Sequence, residues 1–100
     1  MKKTKEWDVA EILDTKEDII ACLDVALAEG NTQFLFEMLG SLTRAKGMSQ
    51  VARELGVTRE GLYKSLSPDG HPSFETVFKL MNLLGLRLKM ERKRALKKNS

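Results

Sequence analysis

The chain has 100 residues, of which 42% are hydrophobic and 31% charged, a composition typical of one soluble globular domain. No apolar run approaches the roughly 20 residues that a membrane span needs. The N-terminal MKKTKEWDVAE turns acidic where a signal peptide has its apolar stretch, so we expect a cytoplasmic protein. The single cysteine, Cys22, excludes an internal disulfide.

The net charge of +3 conceals an uneven distribution along the chain. Residues 1–46 hold 6 basic and 9 acidic side chains, whereas residues 47–100 hold 11 basic and 5 acidic ones. This division suggests two surfaces with different partners, the basic one suited to phosphate.

Residues 1–14 form a predicted leader, in which Trp7 is the only tryptophan of the chain. Its helically spaced apolar residues are Val9, Ile12 and Leu13. Trp7 either seals the edge of the core or contacts another protein chain, and the sequence leaves both interpretations open.

Two helices are predicted to follow the leader. The first begins at Thr15, where Asp18 completes a variant capping box, and it ends at Gly30. The second runs from Asn31 or Thr32 to Lys46. The predicted apolar face of the first helix comprises Ile19, Ile20, Leu23, Ala26 and Leu27, and that of the second comprises Phe34, Leu35, Met38, Leu39 and Leu42.

The stretch Met48–Ser67, MSQVARELGVTREGLYKSLS, has the spacing of a DNA-binding helix-turn-helix. Gly56 is the residue that adopts a positive φ at low cost, and Thr58 is an N-cap residue type that opens the second helix. Ala52 is small enough to let two helix axes approach closely. The predicted apolar contacts are Val51, Ala52, Leu55, Val57, Leu62 and Leu66. The alternative is an ordinary corner between two helices.

A turn-rich loop, SPDGHPS at Ser67–Ser73, separates this motif from a further helix that ends at Gly85. Ser73 is its predicted cap, and its apolar stripe comprises Phe74, Val77, Phe78, Met81 and Leu84. Leu86–Met90 alternates apolar and polar residues, which predicts a short strand that pairs with the leader or with a second subunit. The tail, Glu91–Ser100, is basic and expected to be flexible. It either adds salt-sensitive DNA affinity or keeps the protein soluble.

The second helix of a DNA-reading motif lies in the major groove, which makes its exposed residues the candidates for base contacts. Arg59 is the first choice for guanine, because its planar fork matches O6 and N7. Glu60 either accepts from cytosine or steadies Arg59, whereas Tyr63 and Lys64 suit a thymine methyl group and a phosphate. The predicted base-reading residues are therefore Thr58, Arg59, Glu60, Tyr63 and Lys64. For each of them the alternative is a solvated helix face.

Phosphate contacts are expected beside these residues, at helix N-termini where free N–H groups favour an anion. Ser49 and Gln50 open the first helix of the motif, and Ser73 opens the helix after the loop. His71 adds a possible charge, although a lone histidine in such a loop is more often only solvated. No nucleotide-binding loop, Cys/His cluster or catalytic set is evident, so we expect no enzyme activity, no metal and no cofactor.

The run GMSQVARELGVTREGLYKSLSPDGHPSFETVFKLMNLLGLRL closely resembles the core of HigA-like antidote proteins of chromosomal addiction modules. The upstream EWDVAEILDTKEDIIACLDVALAEGNTQFL is similar to the leader and first helices of that family. The resemblance covers roughly residues 6–90, and its most specific part is REGLYKSLSPDG at Arg59–Gly70.

The resemblance implies a small cytoplasmic helix-turn-helix protein, usually dimeric, that neutralises a toxin of the RelE/ParE superfamily and represses its own operon. It places Thr58, Arg59, Tyr63 and Lys64 at DNA-reading positions. The helix before Gly56 is shorter than in phage repressors, which changes the expected angle of the motif on DNA. Toxin contacts follow no motif, and the acidic front half is the expected surface.

These observations together predict an all-α fold of five helices, of the lambda-repressor-like class, with one short C-terminal strand. Residues 15–90 form the predicted DNA-binding domain. A dimer through Leu86–Met90 or through the last helix would place operator half-sites roughly 34–36 Å apart. Two alternatives stay open: a protein-binding adaptor on this scaffold, and a phage-type repressor without a toxin.

Overall fold

The structure, a computed structural model, describes residues 17–93. In this part of the chain it contains five helices, which confirms the predicted all-α fold. They are α1 (Glu17–Glu29), α2 (Thr32–Lys46), α3 (Met48–Leu55), α4 (Arg59–Ser65) and α5 (Phe74–Leu83). The predicted leader, the predicted cap at Thr15 and residues 94–100 of the tail lie outside the described residues. None of the described helices is long and apolar enough to cross a bilayer.

The short helix α3 holds the domain together. It packs against α2, α4 and α5, while α1 packs against α2. Val51 and Ala52 of α3 are buried, and the residues buried almost completely with them are Leu39, Leu62, Leu80, Leu84 and Thr43. The Thr43 hydroxyl donates to the carbonyl of Leu39 at 2.7 Å, so this polar group is satisfied inside the core. The orientation of α4 therefore follows from its packing on α3.

The turn between α3 and α4 has the predicted chemistry. Gly56 adopts φ 76°, ψ 28° in the left-handed region, and the Val57 N–H donates to the carbonyl of Ala52 at 3.0 Å. This is the closing hydrogen bond of a glycine-terminated helix. Thr58 then caps α4, because its Oγ1 accepts from the Gly61 N–H at 2.9 Å. Both ends of the turn are thus determined by local hydrogen bonds.

The loop after α4 returns tightly onto that helix. The Ser67 hydroxyl donates to the Lys64 carbonyl at 2.7 Å, and the Gly70 N–H donates to the Ser67 carbonyl at 2.9 Å. A Cβ atom at Gly70 would overlap the carbonyl oxygens of Lys64 and Ser65. Only glycine fits at this position, because the backbone at the end of α4 lies too close for a Cβ atom. The loop then leads into α5.

Several residues predicted to belong to the core are exposed instead. Helical spacing predicts which residues share a face, but not how much of that face a neighbouring helix covers. In α5 Val77, Leu80 and Met81 are buried in the core, and the outer part of the stripe stays in solvent. The predicted core residues that are at least one-third exposed are Ile20, Leu27, Phe34, Val57, Phe74 and Phe78. Phe36, predicted to lie off the stripe of α2, is half-buried against the core.

The predicted strand is the other difference. Leu86–Met90 form no strand among the described residues, because no described segment offers it the ladder partner that a strand requires. The alternation nevertheless has a structural basis, since Leu86 and Leu88 pack against the core. The Leu86 N–H donates to the Met81 carbonyl at 2.8 Å, which holds the segment beside the end of α5.

Candidate nucleic-acid interface

Four of the residues predicted to read bases lie together on the exposed side of α4. They are Arg59, Glu60, Tyr63 and Lys64. The opposite side of the helix is anchored in the core by Leu62, which is 1% exposed, and Leu66 just beyond the helix is also buried. The fifth residue, Thr58, is exposed, and its hydroxyl holds the helix N-terminus. The buried contact of Leu62 with the core thus leaves the polar face of α4 exposed to solvent.

Arg59 and Tyr63 form a unit on this face. The guanidinium carbon of Arg59 lies 5.6 Å from the centre of the Tyr63 ring, a cation–π contact worth about 0.5–1 kcal/mol at an exposed site. Within the described chain Glu60 makes no ion pair with Arg59, so the ring rather than the carboxylate orients the guanidinium. The stacking restricts the rotamers of Arg59 and leaves its planar fork of N–H donors for a partner.

The N-terminus of α3 lacks a side-chain cap. Its N-cap residue is Gly47, and no side chain accepts from the first turn. Ser49 is exposed there and Gln50 is half-buried. The Gln50 amide donates to a carboxylate oxygen of Glu54 at 3.2 Å, so this side chain is already engaged within the helix. What α3 offers an anion is its uncapped N–H groups and the Ser49 hydroxyl.

The N-terminus of α5 lies beside α4. His71 and Ser73 line one groove together with Gly61, Leu62 and Ser65. The Ser73 hydroxyl accepts from the Thr76 N–H at 3.1 Å, so it caps its own helix. The structure therefore places these two predicted phosphate residues at the side of the base-reading face, although they lie far from Arg59 in sequence.

A cation that the sequence analysis did not single out lies next to this face. Arg44, in the last turn of α2, lines a groove with Tyr63, Leu66 and Ser67. Its guanidinium donates to the Ser41 hydroxyl at 3.3 Å. Arg44 belongs to the acidic half of the chain, so the charge distribution gave no reason to assign it to a basic surface. The one sequence signal for Arg44 is its position in the last turn of a predicted helix.

In residues 17–93, no cluster of three or more His, Cys, Asp or Glu side chains is arranged to hold a metal ion. What the described chain does present is a set of charged and aromatic side chains on the exposed faces of short, well-anchored helices. The fold and this surface define a small all-helical domain with a charged and aromatic exposed face.

The family follows from comparison with known proteins. A family model described as "Probable addiction module antidote protein" matches residues 3–92. A protein of Haemophilus influenzae, itself uncharacterized, is 43% identical over 93 residues, which cover 93% of this chain and 96% of that protein. No solved structure matches the chain. The chain therefore belongs to the family of probable addiction module antidote proteins.

Membership of this family confirms the predicted antitoxin class. It implies that the partner is a toxin, and it identifies the protein as an antidote rather than an enzyme.

Proposed function

We propose that this protein is a HigA-like antitoxin with two activities. It neutralises a toxin of the RelE/ParE superfamily by direct binding in the cytoplasm. It also acts as a homodimer that binds a palindromic operator and represses its own operon. Residues 15–90 would form the DNA-binding domain, between a leader (1–14) and a basic tail (91–100).

The observation that carries the DNA-binding proposal is the Arg59–Tyr63 stack on the exposed face of α4. In the proposed helix-turn-helix complex, α4 enters the major groove. Arg59 pairs with O6 and N7 of a guanine and Glu60 accepts from a cytosine N4. Tyr63 packs on a thymine methyl group, and Lys64 reaches a phosphate. Thr58 is the remaining base-reading residue, and its hydroxyl also caps the end of α4 that enters the groove.

Phosphate contacts are proposed on both sides of α4. On one side the uncapped N–H groups of α3 and the Ser49 hydroxyl meet a phosphate, with Gln50 available once it leaves Glu54. On the other side His71 and the N-terminus of α5 behind Ser73 meet a second phosphate. Such contacts set the register of the protein on DNA without reading its sequence.

The toxin-binding proposal rests on α1. This helix holds Glu17, Asp18, Asp24 and Glu29 and no basic residue. It also leaves Ile20 (43%), Val25 (50%) and Leu27 (46%) exposed. Ile20 and Leu27 line a mainly apolar groove with Leu86 and Leu88. The charged residues that also line it are Asp24, Arg87 and Lys89. An acidic helix with apolar anchors suits a basic protein partner, because apolar side chains supply binding energy and charge supplies steering.

The substitution Arg59→Ala tests the DNA-binding half of the proposal. We expect binding to the protein's own promoter to weaken by about 1–3 kcal/mol in a mobility-shift titration, because a bidentate guanine contact is lost. The matched control is Arg87→Ala, which removes the same charge from an exposed residue outside α4. If both variants bind the promoter as the wild type does, the protein-binding adaptor becomes the better account.

Co-expression with the small protein encoded next to it tests the toxin-binding half. We expect growth rescue and a complex that co-purifies in stoichiometric amounts. If the adjacent gene encodes no such protein, or the two proteins do not associate, a phage-type repressor without a toxin becomes the better account.

A further inference from the structure

Two aromatic side chains on the outer face of α5 have no role in the surfaces described above. Phe74 is 73% exposed and Phe78 is 47% exposed. Their rings stack on one another, with centroids 6.0 Å apart and an interplanar angle of 23°. An exposed aromatic pair of this size usually marks a protein contact, because aromatic residues supply much of the binding energy at interfaces.

We propose that this face of α5 binds the same face of a second copy of the chain. The charges beside the rings support that choice. Glu75 and Lys79 lie one turn apart on the same helix and form an exposed ion pair of 3.0 Å. A two-fold contact requires a surface that is complementary to itself. When two α5 helices cross antiparallel, Glu75 of each copy faces Lys79 of the other, and the four rings meet between them.

The same charges disfavour the other candidate partners. A DNA-binding surface is expected to be positively charged and the proposed toxin-binding surface negatively charged. This patch carries one negative and one positive side chain and has no net charge. Pairing of the segment Leu86–Met90 with its copy would be an unfavourable dimer contact. A two-fold, antiparallel pairing centred on Leu88 would place Arg87 of one copy opposite Lys89 of the other, and like charges directly opposite destabilise a strand pair.

The size of the patch predicts a weak dimer. One phenylalanine buries about 150–250 Å², whereas a stable interface needs about 800 Å² from each partner. Two rings with their flanking charges supply only part of that area. This inference rests on the proposed repressor function in one respect: adjacent operator half-sites would hold the two copies together and make the contact visible as cooperativity.

Sedimentation equilibrium of the full chain over a concentration series tests the contact without DNA. We expect a reversible monomer–dimer equilibrium whose dissociation constant rises about tenfold or more in Phe78→Ala, because truncation of a central aromatic anchor should cost about 1.4 kcal/mol or more. The control is Phe34→Ala, which removes a half-exposed ring from α2. A chain that stays monomeric throughout, or a Phe78→Ala variant that dimerises as the wild type does, overturns the proposal.

Charge reversal tests the two-fold geometry. Glu75→Lys leaves only positive charge at the two positions, and Lys79→Glu leaves only negative charge. Each variant alone should dimerise less than the wild type, and an equimolar mixture should form a heterodimer. The ion pair within one helix is broken in both variants, so only a contact between copies explains the rescue. If the mixture dimerises no better than the separate variants, the proposed pairing is wrong.

Operator titrations separate this inference from the repressor proposal. Phe78→Ala should bind a single half-site with unchanged affinity and lose cooperativity on the two-half-site operator. If the wild type does not bind a single half-site, the repressor function is contradicted. Unchanged cooperativity in Phe78→Ala would contradict only the dimer contact.

Discussion

Helices α1 and α4 expose opposite kinds of surface, although both are anchored in one core. On α4 the apolar residue Leu62 is buried and the exposed residues are polar, charged or, in Tyr63, aromatic with a hydroxyl group. On α1 only Leu23 and Ala26 are fully buried, and three large apolar side chains remain in solvent among acidic ones. A helix with no unburied aliphatic residue suits a hydrated, charged partner, whereas α1 suits a protein.

This contrast matches the uneven charge of the sequence, since α1 lies in the acidic half and α4 in the basic half. The main helix contacts between the two surfaces run from α1 through α2 and α3 to α4. Exposed substitutions on one surface should therefore leave the other unchanged, since distant sites without shared partners behave additively. The substitutions below test whether the two surfaces bind their partners independently or act as one surface.

The largest effect is expected for the double substitution Ile20→Ala with Leu27→Ala. These residues lie on the same side of α1 and line one groove, so their removal should weaken toxin binding by about 2–4 kcal/mol, as for central anchors of an interface. Isothermal titration calorimetry with the purified toxin measures the loss. Operator affinity should not change.

Val25→Ala is the matched control for that experiment. Val25 is 50% exposed on the same helix but does not line the groove. It should therefore change toxin affinity much less than the double substitution does. Equal losses in both variants would mean that the toxin contacts α1 through Val25 as well, and the groove would then not be its particular binding site.

Gly70→Ala probes the loop that joins α4, the proposed DNA-reading helix, to α5. A methyl group there overlaps backbone carbonyls at the end of α4, and such overpacking should lower the free energy of unfolding by about 1–3 kcal/mol. Urea denaturation monitored by circular dichroism measures the change. Operator affinity should fall with it, since the loop positions His71 and Ser73.

Gly40→Ala supplies the opposite control. A Cβ at Gly40, inside α2, meets its nearest atoms at 3.6 and 3.9 Å, which is ordinary contact. Alanine is also preferred to glycine in a helix by roughly 0.5–1 kcal/mol. The variant should therefore be as stable as the wild type or more stable. Destabilisation of Gly40→Ala to the same extent would mean that the loss at Gly70 does not report on the loop in particular.

The smallest effect is expected for Thr58→Ala. The substitution removes the acceptor for the Gly61 N–H and should destabilise the protein by about 1 kcal/mol. Thr58→Ser keeps the hydroxyl and should restore most of the stability in the same denaturation series. If serine and alanine behave alike, the cap contributes nothing and α4 is held by Leu62 alone.

The turn around Gly56 and the caps at Thr58 and Ser73 were predictable, because each is determined by residues within one helical turn. The exposed positions of α4, which form the proposed DNA-reading face, were predictable for the same reason. The exposure of Phe74 and Phe78 was not, since helical spacing says nothing about which neighbour covers a face. Arg44 beside Tyr63 depends likewise on how α2 packs, which no local pattern records.

The central claim is that one small domain binds DNA and toxin through different helices. It is tested most directly by titrating two variants, Arg59→Ala and the Ile20→Ala/Leu27→Ala double variant, against both operator DNA and toxin. We predict that Arg59→Ala loses operator affinity and keeps toxin affinity, and that the double variant does the reverse. The account is contradicted if either folded variant loses both partners to the same extent.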